Sequence, residues 1–594
     1  MCGVFGFVVK DSQVIPEQLV KRGLQALRTL DHRGPDQRDY RCIDGVFLGH
    51  TRLSIIDLSD AGRQPMSSRD DQVIATVNGE IYGYQDIRRQ IGVEQFRSHS
   101  DSEIFIHGYR TYGLDTLLTK IDGMYAGALL DKGSQQLHLF SDRVGIKPLY
   151  IAHGKSNGTK LIAWASELKA ICAIIDDLEI DPTAILDFAA QKCIPAPKSI
   201  YKNVSRLTPA NSITISLNTG TLKQNRYWSL PAEAAPKTSA DVNEELRDLI
   251  NTSVKEQLIA DVPVGLFLSG GLDSSILCES ATQHVSSLNT YNVSFGMPEH
   301  DEGPFARLVA EACGTNHVEE TFLPEDVSHP FAQMNSWFDE PFGDMSAFPT
   351  ARVCTAARRT SVVALSGDGG DELFGGYKWY KKYWHFRRFN RWMLSRKNLN
   401  FQFHRPPRNL WQKMANRIAL LGQLDPLQLY AGVTSNLLTA ELAPIRQWLE
   451  VPDDYDYVWS LRPHYRPELG HRRSLQYLDF HTWLPNDLLT KVDRVSMAVS
   501  LEVRVPFLKK QLCEFAFSLP ESFLYTGDEL KGGLKQAYES RLPEAVISRS
   551  KQGFSMPIGS WDKDVLGGEP AFIPYYIKQL RAQGIPAAVK GLTR

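Results

Sequence analysis

The sequence predicts an α/β protein of two domains, the first built on antiparallel strands and the second on a parallel sheet. The chain has 594 residues, which is too long for one ordinary hydrophobic core. Up to about residue 200, short strand-like runs are separated by turn residues. From about residue 241, helix-like segments alternate with short buried strands, which is the pattern of a parallel sheet covered by helices.

The N-terminal part predicts mixed structure with much antiparallel character. Its clearest strand-like runs are residues 46–48, 73–77 and 137–140. Helical patterns lie between them, at residues 16–30 and 103–112. The proline-rich segment 194–197 breaks regular structure, so we expect the first domain to span residues 1–205.

A strand-rich connector and a linker are expected over residues 206–240, because residues 231–240 are rich in Pro, Ala, Ser and Thr. The second domain then spans residues 241–594. Its buried strands are predicted at residues 264–268, 289–295 and 362–366. Residues beyond about 410 are predicted to be mostly helical, with no obvious repeat.

The composition excludes several classes of protein. Hydrophobic residues make up 43% and charged residues 23% of the chain, as in an ordinary soluble protein. The net charge of −2 attracts neither nucleic acid nor an anionic membrane. The eight cysteines include no CxxC pair, so we expect no zinc or redox site and a reducing compartment. Without a long apolar run or a signal peptide, a cytoplasmic protein is expected.

A basic and aromatic stretch covers residues 377–408. It is open to interpretation as a nucleic-acid surface. We favour solvated amphipathic helices beside an active site, because the chain as a whole is not basic. No nucleic-acid partner is therefore expected.

Cysteine is the second residue of the chain. An aminopeptidase that removed Met1 would leave Cys2 with both a thiol and a free α-amine. An α-amine has an ordinary pKa of about 7.7–8.0, so it can take the thiol proton near neutral pH. This is the logic of N-terminal nucleophile catalysis. On this residue alone, a chance cysteine near a frayed terminus is an equal alternative.

The string SGGLDSS at residues 269–275 follows an apolar strand and precedes a helical run. Its glycines let backbone amides approach a phosphate, its serine hydroxyls add donors, and a helix N-terminus favours an anion. Asp273 is placed to hold Mg²⁺ on the phosphates. The string lacks the lysine of a Walker loop and resembles the pyrophosphate loop of ATP pyrophosphatases, which release AMP and diphosphate.

A second acidic string, SGDGGDELFGGY at residues 366–377, also follows a buried strand. Asp368, Asp371 and Glu372 would lie at the carboxyl end of a parallel strand, where α/β sheets bind ligands. Three carboxylates there suit Mg²⁺ or an amine. Another acidic loop lies at residues 339–344. Lys551 offers a cation for a phosphate transition state.

Together these strings resemble the glutamine-hydrolysing asparagine synthetases and their amidotransferase relatives, over about residues 1 to 560. The first-half strings are MCGVFGF (1–7), HRGPD (32–36), RLSIID (52–57), NGEIY (78–82), SDSE (100–103), DRVGIKPLY (142–150) and SELKA (166–170). The second-half strings are LSGGLDSS (268–275), DEPFGD (339–344), LSGDGGDELFGGY (365–377), LTKVDRVSMAVSLEVRVPFL (489–508) and RSKQGF (549–554).

The resemblance implies a fold for each half. The first is expected to be an N-terminal nucleophile glutaminase domain, an antiparallel β-sheet sandwich with helices. The second is expected to be an ATP-pyrophosphatase domain, a parallel sheet with helices. Small-molecule partners are expected, with a homodimer left open.

The resemblance also implies roles at matched positions. The predicted catalytic residues are Cys2, Asn78, Gly79, Asp368 and Lys551. Cys2 would be the nucleophile, with an oxyanion hole from the Asn78 side chain and the Gly79 N–H. The predicted glutamine-binding residues are Arg52 for the α-carboxylate and Glu80 and Asp101 for the α-amine. The predicted ATP-binding residues are Leu268, Ser269, Gly270, Gly271, Asp273, Ser274, Ser275, Val293, Ser366 and Gly367. Asp273 and Asp371 would hold Mg²⁺.

The implied reaction is glutamine hydrolysis at one site and ATP-dependent amidation of a carboxylate at the other. The default acceptor is L-aspartate. Alternatives are another carboxylate, such as a uronic acid or a natural-product precursor, and a catalytically degenerate binding or storage protein on the same fold. A β-lactam synthetase is disfavoured, because that branch does not need the N-terminal cysteine. A tRNA-modifying enzyme is disfavoured, because the paired cysteines of thiolating enzymes and a basic surface are absent.

Three departures from the family pattern stand out. The family usually has Asn where Gly83 stands and Gly where Ala210 stands. After Trp561 the chain departs from the usual helical ending. The family's C-terminal region helps shape the acceptor side, so this departure bears on the identity of the acceptor.

Overall fold

The computed structural model describes most of the chain. The described residues are 2–10, 12–231, 242–297, 301–327, 329–395, 425–435, 437, 439–525, 527, 529–550 and 572–582. Among them, no helix has the length and apolarity needed to cross a bilayer.

The N-terminal part contains twelve strands and six α-helices within the described residues. The strands are β1 (Gly3–Val9), β2 (Gln37–Ile43), β3 (Val46–Arg52), β4 (Met66–Ser67), β5 (Val73–Tyr82), β6 (Asp122–Asp131), β7 (Gln136–Ser141), β8 (Tyr150–Ser156), β9 (Thr159–Ala165), β10 (Val204–Arg206), β11 (Asn211–Ser216) and β12 (Leu222–Arg226). The helices are α1 (Glu17–Arg28), α2 (Tyr84–Ile91), α3 (Ile104–Tyr112), α4 (Leu114–Lys120), α5 (Leu168–Ile174) and α6 (Pro182–Gln191).

These strands form two six-stranded antiparallel sheets. The strand orders are β10-β8-β9-β1-β3-β2 and β12-β11-β7-β6-β5-β4. One apolar cluster contains Val4 and Leu48 from the first sheet and Ile74 and Leu139 from the second, so the sheets pack face to face. The predicted antiparallel sandwich is confirmed. Strands β11 and β12 fall in the predicted connector and extend the second sheet, while the predicted boundary at residue 205 stays a prediction.

Helix α1 shows how the sequence covers the sandwich. Its buried residues Leu19, Gly23, Ala26 and Leu27 recur at helical spacing and face the first sheet. A Cβ at Gly23 would lie 2.9 Å from the Phe7 ring, so glycine lets helix and sheet approach closely. The predicted helix over residues 16–30 is confirmed, with slightly shorter bounds.

The C-terminal part contains five strands and sixteen α-helices within the described residues. The strands are β13 (Val264–Phe267), β14 (Asn289–Ser294), β15 (Asn316–Thr321), β16 (Val363–Leu365) and β17 (Glu502–Arg504). The first helices are α7 (Val242–Gln257), α8 (Leu272–Thr282), α9 (Gly303–Cys313), α10 (Pro330–Phe338), α11 (Ala347–Arg358), α12 (Gly370–Phe374), α13 (Trp379–Ser395) and α14 (Pro426–Ser435). The others are α15 (Thr439–Leu449), α16 (His471–His481), α17 (Leu489–Met497), α18 (Lys510–Ser518), α19 (Glu521–Leu524), α20 (Gly532–Tyr538), α21 (Glu544–Ile547) and α22 (Phe572–Ala582).

The five C-terminal strands form one parallel sheet in the order β15-β14-β13-β16-β17. The predicted parallel sheet with helices is confirmed. The chain runs outward from β13 to β15 and then returns to β16 on the other side of β13. The strand order therefore reverses between β13 and β16, which is where open α/β sheets bind ligands.

A buried ion-pair cluster joins the two parts of the chain. Arg33 Nη1 and Nη2 donate to the two Asp493 carboxylate oxygens at 2.9 and 3.1 Å, and Arg33 Nη1 also donates to Glu167 Oε1 at 2.8 Å. Lys147 Nζ lies 3.2 Å from Asp493 Oδ1, and Arg494 Nη1 lies 3.0 Å from Glu167 Oε2. Burial alone would raise the pKa of Asp493, but Arg33 and Lys147 lower it, so the carboxyl stays charged.

Replacing Arg33 with Met is expected to destabilise the protein strongly. The change leaves Asp493 and Glu167 buried without their principal shared cation, and removing one partner of a buried pair costs about 3–5 kcal/mol. Urea unfolding followed by tryptophan fluorescence measures the effect. The control is Arg22→Met, which breaks a more exposed pair with Asp176 and should cost under about 1 kcal/mol. Equal effects of the two changes would contradict this view of the interface.

Candidate active sites

Cys2 directly precedes β1 of the first sheet and contacts Asn78 on β5 of the second sheet. The residue is buried, and its Sγ lies 4.0 Å from the Leu53 carbonyl oxygen. Burial raises the pKa of the Cys2 thiol, and the positive charge of Arg52 partly offsets that effect. The thiol therefore needs a nearby base to become a thiolate at neutral pH.

The side-chain amide of Asn78 lies beside Cys2 and uses only its oxygen in hydrogen bonds among the described residues. Cys2 N donates to Asn78 Oδ1 at 2.9 Å, which orients the amide. Asn78 Nδ2 is buried and finds no acceptor among the described residues. At the next position, a Cβ on Gly79 would lie 2.1 Å from the Met124 carbonyl oxygen, so only glycine fits. A buried, unpaired N–H beside a nucleophile is the arrangement that stabilises an oxyanion.

Arg52, at the end of β3, binds the loop that follows it. Its Nη1 donates to the Ser59 carbonyl at 3.0 Å, and its Nη2 donates to the Ile56 carbonyl at 3.3 Å. Both contacts are to neutral oxygens, so the guanidinium carries a net positive charge next to Cys2. The Arg52 donors therefore face the loop, and the predicted role of Arg52 in binding a substrate carboxylate stays a prediction.

Glu80 and Asp101 form a buried acidic pair close to the same end of the sandwich. Asp101 Oδ2 accepts a hydrogen bond from Ile81 N at 2.8 Å. Burial raises the pKa of Asp101 to about 6, and burial together with the Asp101 charge raises the pKa of Glu80. Two buried acids that repel each other attract a cation, and the predicted contact of this pair to an amine stays a prediction.

Arg504 from β17 reaches this pair from the other domain. Its Nη2 lies 3.2 Å from Glu80 Oε2, and its Nε donates to Glu502 Oε1 at 2.6 Å. Arg504 is not among the site residues predicted from the sequence. Arg504 belongs to the string at residues 489–508 that carries the family resemblance, but nothing in that string indicates that its side chain faces the other domain.

The second site is a cavity of about 1010 Å³ at the carboxyl ends of β13 and β16. Its size suits a nucleotide together with a second substrate. The loop after β13 and the loop after β16 touch, since a Cβ on Gly367 would lie 3.1 Å from Asp273 Cβ. The predicted site residues that line it are Leu268, Ser269, Gly271, Asp273, Ser274, Val293, Ser366, Gly367, Asp368 and Asp371.

The loop at residues 269–275 turns tightly and lies against α9. Gly270 has a φ of +67°, and a Cβ there would lie 2.4 Å from Ala306 N on α9. Ser275 turns away from the cavity, because its hydroxyl donates to the Gly271 carbonyl at 2.7 Å. The side chain of Ser275 therefore supports the loop, and its backbone N–H also bonds within the helix turn.

Asp273 and Asp371 converge on one cation, Lys531. Lys531 Nζ lies 2.5 Å from Asp273 Oδ2 and also pairs with Asp371 Oδ1. Asp273 Oδ1 is buried and accepts no hydrogen bond from any described residue. Sequence analysis missed Lys531, which is separated from both acids by more than a hundred residues. Lys551, in contrast, lies outside the described residues, so its predicted role stays a prediction.

Two of the three departures from the family pattern, Gly83 and Ala210, adopt the same backbone region. Gly83, before α2, has a φ of +63°, and Ala210 has a φ of +58°. Glycine and asparagine enter this left-handed region readily, whereas alanine does so with strain. A Cβ at Gly83 would meet no atom closer than 4.0 Å, so the family's asparagine would fit there.

Comparisons with known proteins agree with this arrangement. Residues 1–228 match the model of the glutamine amidotransferase domain, and residues 245–567 match that of asparagine synthase. The chain is 31% identical to asparagine synthetase [glutamine-hydrolyzing] 1 of Bacillus subtilis, over 95% of this chain and 88% of the relative. It is also 31% identical to a putative asparagine synthetase of Mycobacterium tuberculosis, over 94% of this chain and 88% of the relative.

A fungal relative carries a different name. The chain is 27% identical to amidase chry2 of Gibberella zeae, over 94% of this chain and 90% of the relative. The matches in both halves confirm the resemblance that the sequence strings predicted. The chain belongs to the asparagine synthase family, as a glutamine-dependent amidotransferase with the amidotransferase domain in its N-terminal half.

Proposed function

We propose that this protein converts L-aspartate to L-asparagine, using glutamine as the nitrogen donor and ATP, with release of AMP and diphosphate. One observation carries the proposal. One chain contains a buried thiol beside an amide donor that has no acceptor among the described residues, and a cavity at the 269–275 loop with converging carboxylates; buried ion pairs link the two. The names of the relatives support the same activity.

At the first site, Cys2 Sγ attacks the side-chain amide carbon of glutamine. Removal of Met1 would leave an α-amine on Cys2 to take the thiol proton and pass it to the departing ammonia. Asn78 Nδ2 and Gly79 N–H would stabilise the oxyanion. Water then hydrolyses the thioester to glutamate. Arg52, Glu80 and Asp101 would hold the two ends of the glutamine backbone.

At the second site, a carboxylate oxygen of the acceptor attacks the α-phosphorus of ATP and diphosphate leaves. Ammonia then attacks the acyl carbon and AMP leaves, which forms the amide. The loop at residues 268–275 would cradle the phosphates, and Val293, Ser366 and Gly367 would line the nucleotide. Lys551 is proposed to stabilise the negative charge that develops on the phosphate in the transition state, and Asp368 is proposed as a further catalytic residue of this half-reaction.

Asp273 and Asp371 fit a magnesium ion. Two carboxylate oxygens that already converge on one cation are a donor set that Mg²⁺ accepts when ATP phosphates supply the other ligands. When bound there, Mg²⁺ would neutralise charge that develops on the phosphates. Lys531 would then be released from the acids to contact a phosphate oxygen.

A second candidate acceptor is another carboxylate. The relative named amidase chry2 favours keeping this alternative, because a protein that aligns with 94% of this chain carries a name other than asparagine synthetase. Release of diphosphate, measured with glutamine, ATP and a panel of acids, tests the proposed function. The proposed function would be refuted if none of the acids stimulated diphosphate release.

Replacing Cys2 with Ala is expected to separate the two half-reactions. Glutamine-dependent amide formation should fall by roughly a thousandfold or more, as for loss of other catalytic nucleophiles. Amidation driven by added ammonium chloride should persist, because the ATP site lies in the other domain. Diphosphate release with each nitrogen source measures both rates. Full glutamine-dependent activity in this variant would refute the nucleophile assignment.

Glutamine binding is expected to weaken as the pH falls below about 6. Asp101, whose pKa is about 6 and which faces Glu80, Glu502 and Arg504, is charged above that pH and neutral below it. Its attraction for the glutamine ammonium is therefore present at high pH and lost at low pH. The KM for glutamine, from glutamate formation, should rise as pH falls, and Asp101→Asn should flatten that profile. Asp115→Asn, at an exposed site on α4, is the control and should behave as wild type.

Replacing Lys531 with Met should change metal affinity and turnover in opposite directions. Without the competing ammonium, Asp273 and Asp371 should bind Mn²⁺, a probe for Mg²⁺, about tenfold more tightly or more in nucleotide-free protein. Diphosphate release should fall, because a phosphate contact is lost. Calorimetric Mn²⁺ titration measures the first effect. The control is Lys535→Met, which breaks the pair with Glu529 in the same cavity and should leave the Mn²⁺ affinity unchanged. Weaker Mn²⁺ binding by Lys531→Met would contradict the view that the lysine ammonium and the metal ion compete for the position between Asp273 and Asp371.

A further inference from the structure

Strand β17 presents two charged side chains to the N-terminal domain. Glu502 and Arg504 lie two positions apart on this strand, so their side chains leave it on the same face. Val503, between them, packs in an apolar cluster. Neither charged residue has exposed surface. Arg504 Nε donates to Glu502 Oε1 at 2.6 Å, which fixes the plane of the guanidinium group.

The guanidinium group of Arg504 is anchored in its own domain and reaches the other one. Its Nη1 donates to the carbonyl oxygens of Gln257, the last residue of α7, and of Ile259, at 2.8 and 2.7 Å. Its Nη2 lies 3.2 Å from Glu80 Oε2 on β5. Nη2 makes no well-aligned hydrogen bond with a described residue, so its contact with Glu80 is mainly electrostatic. Arg504 is therefore a fixed positive charge beside Glu80.

This position lets Arg504 control the charge of the buried acidic pair, Glu80 and Asp101. Burial, together with the charge of Asp101, raises the pKa of Glu80, and Arg504 opposes that shift. Burial raises the pKa of Asp101 to about 6, Glu502 adds to the rise, and Arg504 opposes it. Without the guanidinium group, both acids would keep their protons to higher pH. They would then lose the negative charge that attracts an ammonium group.

The other titratable groups around the pair do not replace Arg504. Burial raises the pKa of Tyr82 on β5 and the pKa of Tyr84 at the start of α2, so both hydroxyl groups stay neutral where carboxyl groups titrate. The charge of the N-terminal amine also lowers the pKa of Glu80, but the effect of Arg504 is larger.

We propose that Arg504 is a positioning residue of the glutamine site and that Glu502 orients it. Arg504 acts through Glu80, which it holds in place for contact with the α-ammonium group of glutamine. The inference rests on the proposed function, in which Glu80 and Asp101 bind that group. It goes beyond that function, because a strand of the C-terminal domain then completes the substrate site of the N-terminal domain.

Glutamine binding measured as a function of pH tests this inference. Calorimetry on protein that carries Cys2→Ala gives the Kd of glutamine without hydrolysis, from about pH 5.5 to about 8.5. The Kd should rise as the pH falls below about 6, where Asp101 takes a proton. Adding Arg504→Met should move that rise up by about one pH unit or more, the scale on which an opposite charge shifts a carboxyl pKa. The two Kd values should converge at the highest pH, where the acids are charged in both proteins.

Two further variants shift the same profile in known directions. Glu502→Gln keeps the oxygen that accepts from Arg504 Nε but removes a charge that raises the pKa of Glu80 and Asp101. The rise in Kd should therefore move to lower pH, opposite to the effect of Arg504→Met. Arg504→Lys keeps the positive charge and should return the rise toward its original pH. A general loss of structure would not produce shifts of opposite sign.

The matched control is Arg206→Met. Arg206 is also a buried arginine that crosses between the two parts of the chain, but its partners are the neutral side chains of Thr490 and Asn486. Its loss should leave the pH at which the Kd rises unchanged.

The outcomes separate the inference from the function on which it rests. A rise that does not move to higher pH in Arg504→Met, or a Kd raised by the same factor at every pH, overturns the inference and leaves the proposed function in place. If Arg504→Met does not fold, Glu502→Gln decides, and a rise that does not move to lower pH overturns the inference. If the Cys2→Ala protein binds no glutamine at any pH, the inference and the glutamine site of the proposed function both fail.

Discussion

The bidentate ion pair between Arg33 and Asp493 is the interaction on which the arrangement of the two sites depends. Arg33 follows α1 in the N-terminal domain, and its Nε also donates to the Cys2 carbonyl at 3.1 Å. Asp493 lies in the middle of α17 in the C-terminal domain. The backbone of Cys2 is thus held, through one side chain, by a helix of the other domain.

Helix α17 extends this connection to the synthetase cavity. Two residues before Asp493, Lys491 contacts Asp344 on the cavity wall. One residue after it, Arg494 pairs with Glu167 of the N-terminal domain. Because Lys491, Asp493 and Arg494 lie on one short rigid helix, the Cys2 backbone, the interface and this wall of the cavity keep fixed relative positions.

Sequence reasoning found the parts of each site that are close together in the chain. Asp273 could be assigned because its loop follows a strand and opens a helix, a local pattern with a physical reason. Arg33 and Asp493 could not be paired, because 460 residues separate them and no local pattern encodes a contact across domains. Lys531 was not predicted for the same reason. Strand β17 was not predicted because a strand of three residues is too short to show a periodic pattern.

The interface pairs also bear on how such proteins evolve and can be recombined. The support of Cys2 by Arg33 uses a carboxylate supplied by the C-terminal half, and the support of Glu80 uses Arg504 from that half. A hybrid that joins this N-terminal half to another C-terminal half would keep these pairs only if that half supplies charges equivalent to Asp493 on α17 and Arg504 on β17.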